Sequence, residues 1–295
     1  MNNKTGIQVP YSTGRNCPSI AIPENACDSH HHIFDPVRFP YVDTDIRNQP
    51  PATVDVYRLL QKKLGLTRNV IVTPSAYGTD NRCTLDALKQ MGKNARAVVV
   101  LNEKEVTDEQ LKEMHDAGVR GVRYNITRGG VDDLDEIGKM AERIAPLGWH
   151  IVFWMSADLT VQIKDFLEKL PCMIVFDHRG HLPKDRGTSH PAFEVIVSMM
   201  KKGKAWIKLS ALYHDSAFWD SDYHDTIAVG KAYVEEAPNQ VIWGTDWPHP
   251  SEFTAKRDFP NDAELLDLLS VQAGTEENVK KILVDNPARL FGFGQ

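Results

Sequence analysis

The chain has 295 residues, 42% of them hydrophobic and 25% charged, with a formal net charge of -6. Those values describe one large folded unit with a sizeable core, and nothing in them suggests a split, a disordered tract or a membrane span. No basic run suits a nucleic-acid backbone, so a nucleic-acid partner is not expected.

Residues 1–25 read as an N-terminal arm lying over the domain, and 26–295 as the domain itself. The first twenty residues are polar and lack a long apolar stretch, so neither a secretory signal nor an anchor is expected there. Apolar, β-branched runs follow at 26–34, 69–75, 95–101, 118–125, 150–155, 173–178, 205–210 and 240–246. Between them lie helix candidates at 54–64, 107–117, 134–145, 159–170, 191–202 and 223–237. This alternation is the pattern of repeated strand-helix units in a parallel sheet. Eight runs make the number of a (β/α)8 barrel, a TIM barrel in a single α/β domain. Thr107 and Gln110 have capping-box spacing at the head of one helix. Helix at 276–284 and 287–291 follows the last strand and is expected to close the barrel at its base or side. The segment 34–53, rich in proline and charge, is long enough to fold over the mouth and contribute Tyr41 or Arg47. Cys17, Cys27, Cys83 and Cys172 show no CxxC spacing, which argues against a zinc ribbon or dithiol site and suits a reducing cytoplasm.

The chemistry gathers at strand ends: Asp28-Ser29-His30-His31-His32, Gly121-Val122-Arg123-Tyr124, Val175-Phe176-Asp177-His178 and Trp243-Gly244-Thr245-Asp246-Trp247-Pro248-His249-Pro250. Parallel barrels build active sites at that pole. Side chains alternate along a strand, so His30 and His32 project together and His31 points opposite. His30, His32, His178 and Asp246 then form a polar cluster able to activate water or to hold one divalent metal such as Zn2+. Asp246 fits a general base, and the three histidines polarise a carbonyl, directly or through the metal. A guanidinium fork receives a carboxylate well, so Arg123 and Arg128 point to an acidic substrate. Tyr77, Trp154 and Tyr213 are candidates for lining the cavity. Asp28 and Asp177 are read as facing away from the cluster, bonded to backbone or neighbouring loops. His115, His150, His190 and His224 read as satisfied core residues, and His249 either orients Asp246 or caps the turn after Pro248.

These same residues carry a family resemblance. The His30-x-His32 strand end, His178 and Gly244-Thr245-Asp246-Trp247-Pro248-His249 resemble the amidohydrolase superfamily. Within it they resemble the branch of 2-pyrone-4,6-dicarboxylate lactonase, sugar-acid lactonases and sulfomuconolactone hydrolase. Gly78-Thr79-Asp80-Asn81 and Gly148-Trp149-His150 extend the likeness over most of the chain. The resemblance implies a distorted (β/α)8 barrel that hydrolyses a small acidic lactone, in a branch that can work without metal. It also implies two further arginines after the sixth and seventh strands, where this chain has His181 and His214. That departure points to a muconolactone-like or sugar-acid lactone with one carboxylate. The bridging groups of a two-metal site are missing from strands four and five, so one metal or none is expected. A small homo-oligomer is implied as well. Two readings stand beside the lactonase: a metal-dependent decarboxylase, and a non-catalytic barrel that binds a ligand. A lactone isomerase of the same branch lacks the first histidine and the final aspartate, which favours hydrolysis here.

Overall fold

A computed structural model describes residues 6–42, 49–126, 134–219 and 221–294. Arg128 and Arg47 fall outside the described residues, as does most of the tip of the 34–53 segment. The apolar runs become β1 (Cys27–His31), β2 (Arg68–Val72), β3 (Ala95–Val99), β4 (Val119–Asn125), β5 (His150–Trp154), β6 (Met173–Phe176), β7 (Ala205–Leu209) and β8 (Val241–Trp243). They form one eight-stranded sheet in chain order, with every paired neighbour parallel. Parallel neighbours need crossovers. Helices α1 (Val54–Leu64), α2 (Arg82–Met91), α3 (Asp108–Ala117), α4 (Leu134–Ile144), α5 (Ala157–Gln162), α6 (Lys164–Lys169), α7 (Pro191–Lys201) and α8 (His224–Glu236) supply them. Four more follow the last strand: α9 (Pro250–Ala255), α10 (Asp262–Ala273), α11 (Glu276–Lys280) and α12 (Asn286–Phe291). The helix expected at 159–170 is two pieces, because Ile163 leaves helical geometry at φ -104, ψ 17. The capping box forms as its spacing predicts, with Gln110 N donating to Thr107 Oγ1 and Thr107 N to Gln110 Oε1. No helix among the described residues is long and apolar enough to cross a membrane.

Among the described residues two large apolar cores result, beside a small cluster of Ala211, Leu212, Tyr213 and Leu265. One fills the space between strands and helices, and the other fills the barrel with Cys27, Val70, Val98, Val152, Val175, Trp206 and Ile242. Leu290, Phe291 and Phe293 plug the inner core at the N-terminal pole, so the tail closes the base. Arg68 and Arg96, from the starts of β2 and β3, donate to the carbonyls of Gly294 and Phe291 and hold the plug in place.

Strict alternation would not turn both His30 and His32 inward from Cys27. Asp28 and His31 both face α1 outside the barrel, where Tyr57 donates to Asp28 and stacks 3.5 Å from the His31 ring. The register shift in β1 between Asp28 and His31 inserts the residue that makes this possible, and it leaves His30 and His32 facing in.

The barrel closes where the residues after β8 return to β1. Asp246 N donates to His30 O and His32 N to Trp247 O, each at 2.8 Å. Gly244 lies so close to β1 that a Cβ there would sit 2.6 Å from His30 N and 2.7 Å from His30 Cβ. Behind this seam the N-terminal segment is pinned down, with Trp247 Nε1 donating to Pro10 O and buried Lys63 to Gly14 O. Gly244→Ala must therefore push β8 from β1. It is expected to cost on the order of 1–3 kcal/mol in denaturant unfolding, whereas an unchanged midpoint would show that the seam is loose.

Candidate active site

The strand C-termini surround a cavity lined by His32, Phe34, Ser75, Arg123, Asn125, Trp154, His178, His214, Asp246 and Ser251, among others. Asp246 follows β8 in the left-handed region, at φ 63, a backbone form uncommon outside glycine and concentrated at functional sites. That turn brings Asp246 Oδ1 to 3.4 Å from His30 Nε2 and 3.5 Å from His32 Nε2. The two Nε2 atoms are 3.3 Å apart. His32 Nδ1 lies 2.7 Å from Val72 O and His178 Nδ1 2.8 Å from Ser210 Oγ, so each ring is aimed by its far nitrogen. The His178 ring centre is 5.1 Å from that of His30.

Beneath these rings lies a buried ionic cluster. Lys208 of β7 is 1% exposed and places Nζ 2.7 Å from Asp177 Oδ1 and 2.8 Å from His30 Nδ1. Arg123 Nε donates to the other oxygen of Asp177 at 3.2 Å. Asp177 thus faces inward, against the expectation from alternation. The strand stops at Phe176, and His178 and Arg179 take φ of 45 and 58, so period two no longer governs this pair. Asp28 does point away as expected, accepting from Thr245, Tyr57 and the His30 backbone.

A second buried chain holds the outer oxygen of Asp246. Tyr213 donates to Asp246 Oδ2 at 2.9 Å and lies 2.9 Å from His249 Nδ1, while His249 Nε2 is 3.3 Å from Asp262 Oδ2. All four groups are buried. His249 therefore acts on Asp246 through Tyr213. Burial and the neighbouring Asp246 charge push the Tyr213 hydroxyl well above its usual value, so it stays protonated and donates. Burial alone would raise Asp246, but His178, His32 and His30 hold it well below the usual carboxylate range. Burial, then the Lys208 charge, push His30 down to about 3, and burial holds His178 well below its usual value and brings His214 to about 4. The resting site is an ionised carboxylate beside His30, His178 and His214, whose depressed values favour the neutral ring.

Several expected residues sit elsewhere. Tyr77 is fully buried behind Phe34, and its hydroxyl accepts from Asp35 N, so it does not line the cavity. Tyr213 lies behind Asp246, as just described, and does not line the cavity either. Trp154 and His214 do line it, with His214 Nε2 2.7 Å from Ser251 Oγ. His181 stands one layer back, edge-on to Trp154, with Nδ1 3.2 Å from Asp215. His150 is buried in the barrel, T-shaped against Phe291, but neither ring nitrogen finds a partner among the described residues. His190 caps α7 through Ala192 N, and His115 accepts from Trp149. His224 is a surface residue paired with Asp222 rather than a core histidine. Sequence reasoning missed Lys208, although a single lysine inside the apolar run Ala205-Trp206-Ile207-Lys208-Leu209 was a visible signal.

His30, His178 and Asp246 bring one donor atom each within 4.8 Å of one another, the kind of set that holds zinc. The fit fails at His30. A ligating imidazole donates its remote N–H to an acceptor, but here Nδ1, although 3.3 Å from Asp177 Oδ1, lies closer to the Lys208 amine, at 2.8 Å. The buried charges also already cancel, Lys208 and Arg123 against Asp177 and Asp246.

Tyr213→Phe would strand Asp246 Oδ2 and His249 Nδ1 together. The chain of bonds predicts a loss of about 1–3 kcal/mol in unfolding free energy, and a change of only a few tenths would show that the chain carries no load.

Known proteins place this geometry. The chain is 36% identical to 2-pyrone-4,6-dicarboxylate hydrolase of Comamonas testosteroni, covering 93% of this chain and 92% of that protein. It is 34% identical to 4-sulfomuconolactone hydrolase of Hydrogenophaga intermedia, over 92% and 90% of the two chains. A solved Agrobacterium tumefaciens protein in its apo form matches with a TM-score of 0.84 at 28% identity, over 94% of this chain and 99% of that one. The amidohydrolase family model matches residues 27–293, so the chain belongs to the amidohydrolase family.

Proposed function

We propose that this protein hydrolyses a small lactone bearing a carboxylate, by attack of a water that Asp246 deprotonates. The observation that carries this reading is the placement of Asp246. Its Oδ1 faces the cavity beside two imidazole nitrogens, and its Oδ2 is fixed by Tyr213. A carboxylate held ionised and oriented is a ready proton acceptor. The names of the two hydrolase relatives, both lactone-opening enzymes, support the substrate class.

Water adds to the lactone carbonyl carbon while Asp246 Oδ1 takes its proton. The carbonyl oxygen becomes an oxyanion, stabilised by N–H donors on His30 and His178 in a water-poor site. The ring C–O bond then breaks, and the proton on Asp246 passes to the leaving oxygen. The product is an open-chain acid, which releases a proton to the medium at neutral pH. Arg123 lies in the cavity wall with Nε committed to Asp177, and it would draw the substrate carboxylate toward that side. Arg128 keeps the same proposed role. His214 in the wall, with His181 behind it, offers softer polar contacts than two arginines would, which favours one carboxylate over two. The decarboxylase alternative needs a divalent metal, which the Lys208 contact disfavours. Four unpaired cysteines, three of them buried, support a reducing cytoplasm as its setting.

A pH-indicator assay on muconolactones, sugar-acid lactones and pyrone carboxylates tests the proposal. Acid release is expected on one group, falling at least about 100-fold in Asp246→Asn with the unfolding midpoint retained. Silence across the panel, or a fully active Asp246→Asn, would overturn it.

A further inference from the structure

We propose that Lys208 is a positioning residue that takes the place of a metal cation: it fixes His30 as the Nε2–H tautomer, a preset hydrogen-bond donor to the reacting carbonyl.

The hydrogen-bond directions carry the argument. A lysine ammonium has three donors and no acceptor. Lys208 uses one on Asp177 Oδ1 at 2.7 Å and points another at His30 Nδ1 at 2.8 Å. His30 Nδ1 must then accept, and the ring proton sits on Nε2. The opposite tautomer would set an N–H against the ammonium, with both groups buried. His32 is fixed in the reverse sense. The Val72 carbonyl can only accept, so His32 carries a proton on Nδ1, and in the neutral ring Nε2 is then bare. Two histidines two residues apart at the end of β1 are thus held in opposite tautomers by partners on β7 and β2. Their Nε2 atoms face each other at 3.3 Å as donor and acceptor.

The consequence is an ordered set of roles around Asp246. Among His30 Nε2, His32 Nε2 and Asp246 Oδ1, only His30 donates. His30 is fully buried and is not among the residues that line the cavity, so it reaches a carbonyl oxygen only where that oxygen enters between His32, His178 and Asp246, and Asp246 Oδ1 and His32 Nε2 are left as acceptors for the attacking water. Without Lys208, His30 would be free to donate Nδ1–H to Asp177, 3.3 Å away, and offer a bare Nε2 beside those of His32 and Asp246. That is the carboxylate–histidine–metal arrangement. Lys208 is therefore the group that separates a metal-free proton-relay site from a zinc site built on the same residues. The donation to a carbonyl rests on the proposed hydrolysis, but the tautomer does not.

Nitrogen-15 NMR of histidine-labelled protein, with His30→Asn for assignment, reads the tautomer without substrate. His30 is expected to show a protonated Nε2 and a bare Nδ1, and His32 the reverse. Lys208→Met is expected to move the His30 proton to Nδ1, to take up about one zinc per chain, and to lower kcat on the order of 100-fold while KM changes little. A wild-type His30 protonated at Nδ1 would overturn the proposal, as would an unchanged tautomer in Lys208→Met. So would stoichiometric zinc in the wild-type protein that His30→Asn releases. If Lys208→Met does not fold, the wild-type spectrum decides alone. Failure of the lactone panel with the expected tautomer present would count against the substrate and not against Lys208.

Discussion

The site depends on the contact between the first and last strands. Gly244 packs against the His30 backbone, and two backbone hydrogen bonds tie residues 246 and 247 to His30 and His32. Those contacts close the barrel, and they also set the base beside the histidines. Stability and geometry are therefore the same interaction here. Any side chain at 244 would move Asp246 and His30 apart, as the close approach of the two backbones leaves no room for a Cβ.

Around that seam the protein solves a burial problem. Charged groups taken out of water are costly unless paired, and this cluster pairs them in two stacked layers. Lys208 and Arg123 share Asp177 below, while Tyr213, backed by His249 and Asp262, holds Asp246 above. His30 and His178, between the layers, stay neutral, with burial as the leading cause of their depressed values. The arrangement leaves one ionised carboxylate with a vacant face toward the cavity, which is what a general base for water requires.

Much of this was legible in the sequence. Eight apolar runs separated by amphipathic stretches foretold the barrel, and strand-end histidines with Gly244-Thr245-Asp246 foretold the pole where the site lies. What alternation could not supply was the true facing of residues near breaks in the strands. The bulge in β1 and the left-handed turn at His178 shift parity, so the inward His30 pair was right for a reason period two does not contain, and the outward reading of Asp177 was wrong. Partnerships across the barrel were equally hidden. Tyr213 and Tyr77 looked alike as aromatic hydroxyls near the mouth, but one supports Asp246 and the other packs behind Phe34. Lys208 shows how much a single charge in an apolar strand can mean.

The pH profile of kcat/KM for ring opening tests the central claim, that Asp246 and not an imidazole takes the proton from water. The base works only when deprotonated, and Asp246 is held below the ordinary carboxylate range. The rate should therefore be flat as pH falls from 7 to about 5, and any acidic limb should lie below about 4. The buried neutral histidines charge in the unfolded chain below about 6.5, so stability declines with falling pH through that window. Each point accordingly needs a parallel measure of folded fraction. A flat profile on folded protein is the predicted result, whereas a limb near 6.5 with the fold intact would assign the base to a histidine and contradict the account.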